Sequence, residues 1–330
     1  MGVIRHLLQA LRRLAVEPET APPGLVMATA LLPPLVAGLI LFRLTALEML
    51  AIAVTAAVAA YLASRVLRWP RPAQPGLAAL VGVALVGPGA PLAWAAAVAV
   101  LAAGLELART RYLAGARLQA GILAYTLLLL ASRGAPAAYV SPGDDAPMAE
   151  PIRLWLQYAG DGRWPIDPVR LYVGNVAGPV FATSLLAVAV GAAWLWYSRR
   201  LSLLVVMAFL LGALLPIQAS HWPAGYQLLS GPLWFVGALV LADRRALPSS
   251  PVGRPMLGVA AGAIALAARK HGFAIEAAPV TAAALQLLVV AVQGARWLNG
   301  NRAETSARLR ALRDAALALT GPRSPDRTAG

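Results

Sequence analysis

Residues 25–68 read LVMATALLPPLVAGLILFRLTALEMLAIAVTAAVAAYLASRVLR, and this stretch decides the fold. It contains two apolar runs, 25–42 and 45–64, separated near residue 44 and followed by arginines. A bilayer core about 30 Å thick needs about 20 apolar residues in a helix, so each run is long enough to span a membrane. Because lipid offers no water to the backbone amides, the runs are predicted to be helices.

The same pattern repeats along the whole chain. The apolar runs lie at 25–42, 45–64, 76–90, 92–108, 118–132, 178–198, 201–217, 226–242, 256–268 and 277–295. Arginines cluster on alternate connections, at Arg5–Arg13, Arg65–Arg71, Arg109–Arg117, Arg199–Arg200, Arg244–Arg254 and from Arg296 onward. The connections near 44, at 88–91 and at 218–225 carry almost none. Since short loops rich in arginine stay in the cytoplasm, we predict about ten spans with both termini cytoplasmic.

The composition supports a membrane protein and excludes several other classes. Of 330 residues, 59% are hydrophobic and 13% are charged, and the formal net charge is +14. The excess of arginine lies on the predicted inner loops and tail, so it predicts topology and contact with the bilayer rather than nucleic-acid binding. There is no cysteine, which excludes disulfides, cysteine-ligated iron–sulfur clusters and thiol catalysis by this chain. The three histidines have no spacing that suggests a metal or haem site.

The predicted fold class is an all-α polytopic membrane protein with about ten transmembrane helices in two five-helix inverted repeats. Five spans precede and five follow a long outer segment, so the second half begins on the opposite side of the membrane, as in inverted repeats. The predicted parts are a basic amphipathic segment at 1–24, the first repeat at 25–132, the outer loop at 133–176, the second repeat at 177–297 and a cytoplasmic tail at 298–330. We expect this protein in the bacterial inner membrane.

Proline and glycine mark places where the predicted helices could break or pack closely. Breaks are predicted at Pro33–Pro34 and in the glycine-rich third and ninth runs. Four glycines at helical spacing permit close helix approach, and packing is the expected role of Gly82, Gly87, Gly258 and Gly262. In the outer segment, PIRLWLQYAG (Pro151 to Gly160) is predicted to form a short interfacial helix, with Trp155 and Tyr158 at the headgroups.

Few carboxylates lie within the apolar runs. Glu48 and Glu106 are close to span ends, where snorkelling, or pairing with Arg43 or Arg109, is the expected explanation. Glu276 begins the last span beside Arg269 and Lys270, and a similar pairing is expected there.

Two segments hold the candidate functional residues. The first is GNVAGPVFATSLLAVAVGAAWLWYSRR (Gly174 to Arg200), in which Asn175, Thr183 and Ser184 precede a span on the predicted outer side. One interpretation is that the Thr or Ser caps the helix start. The second segment begins with LLSGPLWFVGALVLADRRALPSSPVGR (Leu228 to Arg254) and places Asp243 before a tight inner turn, where it could act as a cap.

These segments resemble the RnfD/NqrB family, which comprises related membrane subunits of the Rnf electron-transport complex and of the sodium-translocating NADH:quinone reductase. The family has a Gly-x-x-Gly-Glu-Thr-Ser element at the outer start of its sixth span, matched here by Gly178, Thr183 and Ser184, with Phe181 and Ala182 at the second Gly and the Glu. A later family stretch, LSG…ATDPVTSP…G, is matched by Ser230, Gly231, Ala242, Asp243, Ser250, Pro251 and Gly253. The resemblance covers about residues 25–297.

The resemblance implies a cofactor, partners and a set of site residues. The family's threonine bears FMN through a phosphoester, which implies covalent FMN at Thr183. The matched residues expected to bind cofactor are Gly178, Thr183, Ser184, Ser230, Gly231 and Asp243. It also implies a membrane protein that relays electrons between other redox subunits of a complex, with a second, non-covalent flavin as a further option. Coupling to ion translocation would make Asp243 and Glu106 the ligands to test.

The arginine pattern bears on Thr183 independently of the resemblance. It places this residue on the outer side, where the family carries its flavin, and a phosphate near a helix start gains from free amides. Two alternatives stay open: a non-redox transporter or scaffold on the same frame, with Thr183 only a cap, or a stand-alone flavoprotein serving a biosynthetic pathway.

Overall fold

The computed structural model describes residues 18–67, 74–113, 115–116, 118–158, 164–229, 232–244, 247 and 250–300, without the side chains of 296–300. The α-helices are α1 (Pro23–Val66), α2 (Pro75–Ala84), α3 (Leu92–Tyr112), α4 (Ala120–Ala131), α5 (Pro151–Tyr158), α6 (Pro168–Val173), α7 (Leu185–Tyr197), α8 (Leu203–Ala219), α9 (Ala224–Leu229), α10 (Gly253–Ala268) and α11 (Ala277–Gly300). A π-helix (Phe235–Leu241) and three 3₁₀ turns (Ala135–Ala137, Arg269–His271 and Ala274–Glu276) complete the set. The predicted amphipathic N-terminal helix and most of the predicted tail lie outside the described residues.

The chain divides into a large unit, residues 1–287, and a second unit from residue 288 onward. Every contact described below lies within the first unit. All ten predicted apolar runs contain helix, which confirms the all-α class. Three described stretches are long and apolar enough to cross a membrane: Pro23–Val66, Leu92–Tyr112 and Ala274–Ala295. The others are shorter, so the count of ten spans stays a prediction.

The first two predicted runs form one element, α1, which is interrupted at Arg43. This residue has φ 47° and ψ −114°, which is not helical. The segments on either side, Pro23–Phe42 and Leu44–Val66, each have the length of one membrane span. α1 also exposes apolar side chains at a spacing of four, such as Val54 and Val58, as expected of a helix that faces lipid.

The predicted break at Pro33–Pro34 is wrong, because helix α1 continues through both prolines. Pro34 has no N–H to donate to the carbonyl of Ala30 four residues earlier. That carbonyl lies instead against Gly191 of α7, where an added Cβ would collide with it. Neighbouring helices that pack in this way make proline tolerable within a membrane helix.

The third run breaks as predicted. α2 ends at Ala84, and the buried connection that follows donates hydrogen bonds from Gly87 N to Pro136 O (2.8 Å) and from Gly89 N to Ala138 O (3.0 Å). Irregular backbone at membrane depth is acceptable only where protein satisfies its polar groups, as it does here. The outer segment therefore packs directly on the broken helix.

The ninth run does not break, contrary to the prediction, since α10 is continuous. Its glycines serve packing instead. A Cβ on Gly258 would lie 2.7 Å from the carbonyl oxygen of Val205 on α8, and one on Gly262 would collide with the carbonyl of Phe209. The packing role predicted for these two glycines is therefore confirmed.

The connections between helices form two separate groups of contacts. Between connections predicted to lie outside, the rings of Trp155 and Trp222 meet edge to face with centroids 5.5 Å apart, and the Tyr226 hydroxyl donates to Pro151 O (2.9 Å). Between connections predicted to lie inside, Ser202 N donates to Ala242 O (2.9 Å). The side of the membrane on which each group lies stays a prediction.

The short helix predicted at residues 151–160 is present as α5. Its two aromatic side chains differ from each other in exposure. Trp155 is buried against Trp222, whereas Tyr158 is exposed, and the position of both at the headgroups stays a prediction.

Candidate functional site

The candidate acceptor, Thr183, lies in a non-helical segment between α6 and α7. Helix α7 begins at Leu185, and the Ser184 hydroxyl caps it by accepting from Ala187 N at 3.2 Å. Thr183 itself is buried, with 2% of its surface exposed, and within the described part of the chain its hydroxyl takes part in no hydrogen bond. The capping role that the sequence left open for Thr183 therefore belongs to its neighbour.

Glycines make room for this segment on three sides. A Cβ on Gly178 would lie 2.5 Å from Thr183 Cγ2. Gly174 has a positive φ of 86°, which glycine adopts without strain, and a Cβ there would lie 2.6 Å from Ser184 N. On α1, a Cβ on Gly38 would collide with the carbonyl of Val180. The predicted site residue Gly178 thus acts by clearing space for Thr183.

Two backbone hydrogen bonds fix the segment to the broken end of α2. Val180 N donates to Val86 O (2.9 Å), and Phe181 N donates to Ala84 O (3.2 Å). The last carbonyls of a helix have no partner within the helix, and these bonds satisfy two groups at such an end. The break in the third run therefore contributes directly to the position of the segment that carries Thr183.

The two departures from the family motif have a structural account. The ring of Phe181, where the family has glycine, lies over Gly38 and is 2% exposed, so the missing side chain on α1 provides the space that the ring fills. Ala182, where the family has glutamate, is fully buried. A carboxylate at this position would have to be buried as well, which is costly without a partner.

A cavity of about 800 Å³ lies beside the start of α7. Its walls are one face of α1, the outer segment near Gly143 and the stretch around Ser184; the α1 contribution is Leu32, Pro33, Val36, Ala37, Ile40 and Leu41. Its charged and polar side chains are Arg43, Asn175 and Ser184. The volume is within the range of about 300–1,000 Å³ that is usual for ligand pockets. Thr183 is adjacent to this lining but does not contribute to it.

The remaining predicted site residues do not join this group. Asp243 is buried near the other end of α7, where its backbone forms a bridge with Leu201. The 13 residues of α7 separate this point from Thr183, which corresponds to about 20 Å at 1.5 Å per residue. Ser230 and Gly231 lie outside the described residues.

The predicted pairing of intramembrane carboxylates is correct for Glu106. Its two oxygens accept from Arg109 Nε and Nη2, both at 2.8 Å. This pairing supports a structural role for Glu106 over a role as an ion ligand. No ion pair among the described residues joins Glu48 to Arg43, so the pairing is wrong for Glu48. Snorkelling of its exposed side chain stays a prediction.

Two further buried carboxylates are Glu150 in the outer segment and Glu276 just before α11. Glu276 Oε1 accepts from the Tyr139 hydroxyl (3.1 Å) and pairs with Arg153 Nη2 (3.4 Å), rather than with Arg269 or Lys270 as predicted. Glu150 accepts from the backbone N–H groups of Ile152 (2.7 Å) and Arg153 (2.9 Å) at the start of α5.

Burial dominates the protonation of Glu150. Loss of solvation, with a smaller contribution from the charge of Glu276, raises the pKa of Glu150 to about 7. Arg269 is buried too; its guanidinium donates to the Gln227 backbone oxygen (2.9 Å) and side chain (2.6 Å). Within the described ranges, no cluster of three or more His, Asp or Glu side chains could hold a metal ion.

Sequence reasoning missed two residues of the site. Gly38 is a single glycine in an apolar run, and its role depends on Phe181, which is distant in sequence. Arg43 had a detectable signal, because it is an arginine at an outer connection where the charge pattern predicts few.

Comparison with known proteins adds a family assignment to this geometry. The model of the NQR2, RnfD, RnfE family matches residues 21–284, which is most of the chain. A comparison with curated protein sequences finds no match. The matched range includes α1, the segment with Thr183 and the outer segment. The chain therefore belongs to the NQR2, RnfD, RnfE family, whose members are membrane subunits of Rnf and Nqr electron-transport complexes.

Proposed function

We propose that this protein is a membrane subunit of a flavin-dependent electron-transport complex and carries FMN on Thr183 through a phosphoester. One observation carries the proposal: the Thr183 hydroxyl has no structural hydrogen bond within the described residues, while the adjacent Ser184 caps α7. Thr183 lies on a non-helical segment that neighbouring glycines leave room for, and its hydroxyl has no structural partner among the described residues. A hydroxyl of this kind is better suited to accept a flavin phosphate than one that caps a helix.

The bond to be formed joins Thr183 Oγ1 to the flavin phosphate. The hydroxyl loses its proton, and a flavin transferase supplies the FMN group from a flavin dinucleotide, with adenosine monophosphate as the leaving group. The 2% exposure of Thr183 requires its side chain to turn outward for this reaction. Because the Thr183 hydroxyl forms no hydrogen bond within the described residues, rotation of this side chain breaks none.

The residues beside Thr183 fit a flavin. The cavity of about 800 Å³ offers an apolar wall from α1 for a ring system, and Asn175 and Ser184 provide polar groups near the attachment point. The cofactor supplies one- and two-electron chemistry when bound, and this chain positions it and controls its electrostatics. With no cysteine in the chain, delivery and removal of electrons fall to partner subunits.

The topology completes the proposal. We place about ten spans in two inverted five-helix halves in the bacterial inner membrane, with both termini cytoplasmic and Thr183 on the outer side. The arginine-rich connections and the two groups of loop contacts support this orientation. A second, non-covalent flavin and ion ligation by Asp243 stay predictions, and the position of Asp243 makes any role there separate from Thr183.

In-gel flavin fluorescence tests the attachment. The full chain is purified from a host that supplies the flavin transferase, denatured and illuminated on a gel. We expect a fluorescent band for the wild type, no band for Thr183→Ala, and a retained band for Ser184→Ala, because this variant keeps the acceptor hydroxyl.

The two alternative functions give different results. A wild-type chain without covalent flavin would support the non-redox transporter or scaffold. A flavinylated chain that purifies alone, with no redox subunits, would support a stand-alone flavoprotein.

A further inference from the structure

We infer that Arg43 is the cationic side chain against which the flavin ring lies, and that its charge makes the bound flavin easier to reduce. This inference rests on the proposed attachment at Thr183. It assigns to this chain's own residue the control of how readily the cofactor accepts electrons.

The first argument is the shared cavity. Arg43 lines the same cavity as Asn175 and Ser184, and of the described residues that line it Arg43 is the single charged one. The contact of Gly38 with Val180 and Phe181 fixes α1 against the acceptor segment. Arg43 follows Gly38 by five residues, or about 7.5 Å along the helix axis. The ribityl chain between the flavin phosphate and the ring bridges a separation of this order.

The second argument is the uncompensated charge. Among the described residues, no carboxylate forms an ion pair with Arg43, and Glu48, its expected partner, does not. Of the three short connections predicted to lie outside, near 44, at 88–91 and at 218–225, the first alone carries an arginine. A guanidinium in this position, beside a cavity whose described lining contains no acidic residue, favours an anionic ligand.

The third argument is the backbone of Arg43. Its φ of 47° with ψ of −114° is a conformation that side-chain-bearing residues rarely adopt. Glycine would adopt it at little cost, so an arginine here gives up stability. Strain of this kind is typical of functional positions that the surrounding structure holds in place.

The chemistry follows from the charge of the reduced ring. Uptake of two electrons and one proton by the neutral oxidised flavin leaves one negative charge on the ring. The electrons come from a low-potential donor in a partner subunit, or from dithionite in a titration. Arg43 stabilises this negative charge more than it stabilises the neutral oxidised ring. The reduced flavin therefore becomes more stable relative to the oxidised flavin.

The test is a potentiometric redox titration of the covalently flavinylated protein with dithionite, in which the absorbance of the flavin is followed. Arg43→Gly removes the charge and relieves the backbone strain, so it is expected to fold at least as well as the wild type. We expect its ratio of reduced to oxidised flavin at a fixed potential to fall by about tenfold or more, or ~30 mV for a two-electron couple. Arg43→Lys keeps the charge and should remain within about twofold of the wild type.

Arg133→Gly is the matched control, because Arg133 is another outer arginine with a positive φ (55°) and it does not line the cavity. It should leave the potential unchanged. The inference is overturned if the flavin in Arg43→Gly has the wild-type reduction potential. If that variant also binds less anionic lipid than the wild type, the partner of Arg43 is a lipid headgroup and the inference is overturned as well. It is also overturned if Arg43→Lys shifts the potential as far as Arg43→Gly. A wild type without covalent flavin would instead refute the proposed function.

Discussion

Substituting Gly38 by alanine should disturb the acceptor segment specifically. An ideal Cβ on Gly38 would lie closer than 3.0 Å to the Val180 carbonyl and to the ring of Phe181, a separation that real Cβ atoms essentially never show. The clash with Val180 involves a backbone carbonyl, so side-chain adjustment cannot relieve it. We therefore expect Gly38→Ala to displace the segment and to strain the hydrogen bonds from Val180 N and Phe181 N to the end of α2.

The magnitude follows from two opposing effects. Overpacking a close contact costs about 1–3 kcal/mol, whereas replacing a glycine by alanine within a helix gains roughly 0.5–1 kcal/mol. Gly104→Ala is the control for the gain alone, since a Cβ there meets nothing within 4 Å. Gly212→Ala is the control for overpacking elsewhere, since its Cβ would collide with the Val259 carbonyl on α10.

Thermal unfolding in detergent, followed by tryptophan fluorescence, measures stability, and in-gel fluorescence measures covalent flavin. Gly38→Ala and Gly212→Ala should both unfold at lower temperature than Gly104→Ala. Only Gly38→Ala should also lose covalent flavin. The reasoning is refuted if Gly38→Ala is as stable as Gly104→Ala, or if it retains as much covalent flavin as Gly212→Ala.

Three further substitutions test other parts of the account. Burial raises the pKa of Glu150 from 4.5 to about 7. The folded protein therefore loses stability as the pH rises from about 4.5 through 7, by roughly 3 kcal/mol in total. Glu150→Gln should show a smaller difference in unfolding temperature between pH 5 and pH 8 than the wild type, and an unchanged difference would contradict this. Ala182→Glu restores the family residue but buries a carboxylate, so it should lower the unfolding temperature more at pH 8 than at pH 5; equal stability with wild type at both pH values would show that the site accommodates the charge. Glu106→Gln removes the charge partner of the partly buried Arg109 and leaves one of its donors unpaired, which should cost about 1–3 kcal/mol in the same unfolding assay while covalent flavin is retained. Loss of flavin without loss of stability would argue against a structural role.

The helical membrane fold was predictable because its signals are local. Apolar runs predict spans because of the bilayer's apolar core, and arginine clusters predict which loops are cytoplasmic. Neither signal depends on which helices pack against each other. Breaks within helices were harder to predict. Proline at Pro33–Pro34 is a local signal for a break, yet α7 packs against the freed carbonyl of Ala30 and α1 continues. The interruption that the structure does show, at Arg43, coincides with the connection predicted near residue 44 between the first two apolar runs.

The candidate site was predicted only in part, for a similar reason. Thr183 and Ser184 are both good helix caps, and only the observed start of α7 shows that Ser184 has this role. The ring of Phe181 fills the space that Gly38 leaves on α1. These two residues are distant in sequence, so a single sequence does not reveal their contact. Asp243 matched the family motif but lies near the opposite end of α7 from Thr183, because spacing along the chain says little about depth in the membrane.

The central claim is tested most directly by the mass of the peptide that contains Thr183. The full chain is purified from a host with its flavin transferase, digested, and analysed by mass spectrometry with fragmentation to locate the modified residue. The account predicts a mass increase equal to one FMN minus one water, located on Thr183 and absent from Thr183→Ala. An unmodified peptide, or a modification located on Ser184 instead, would contradict it.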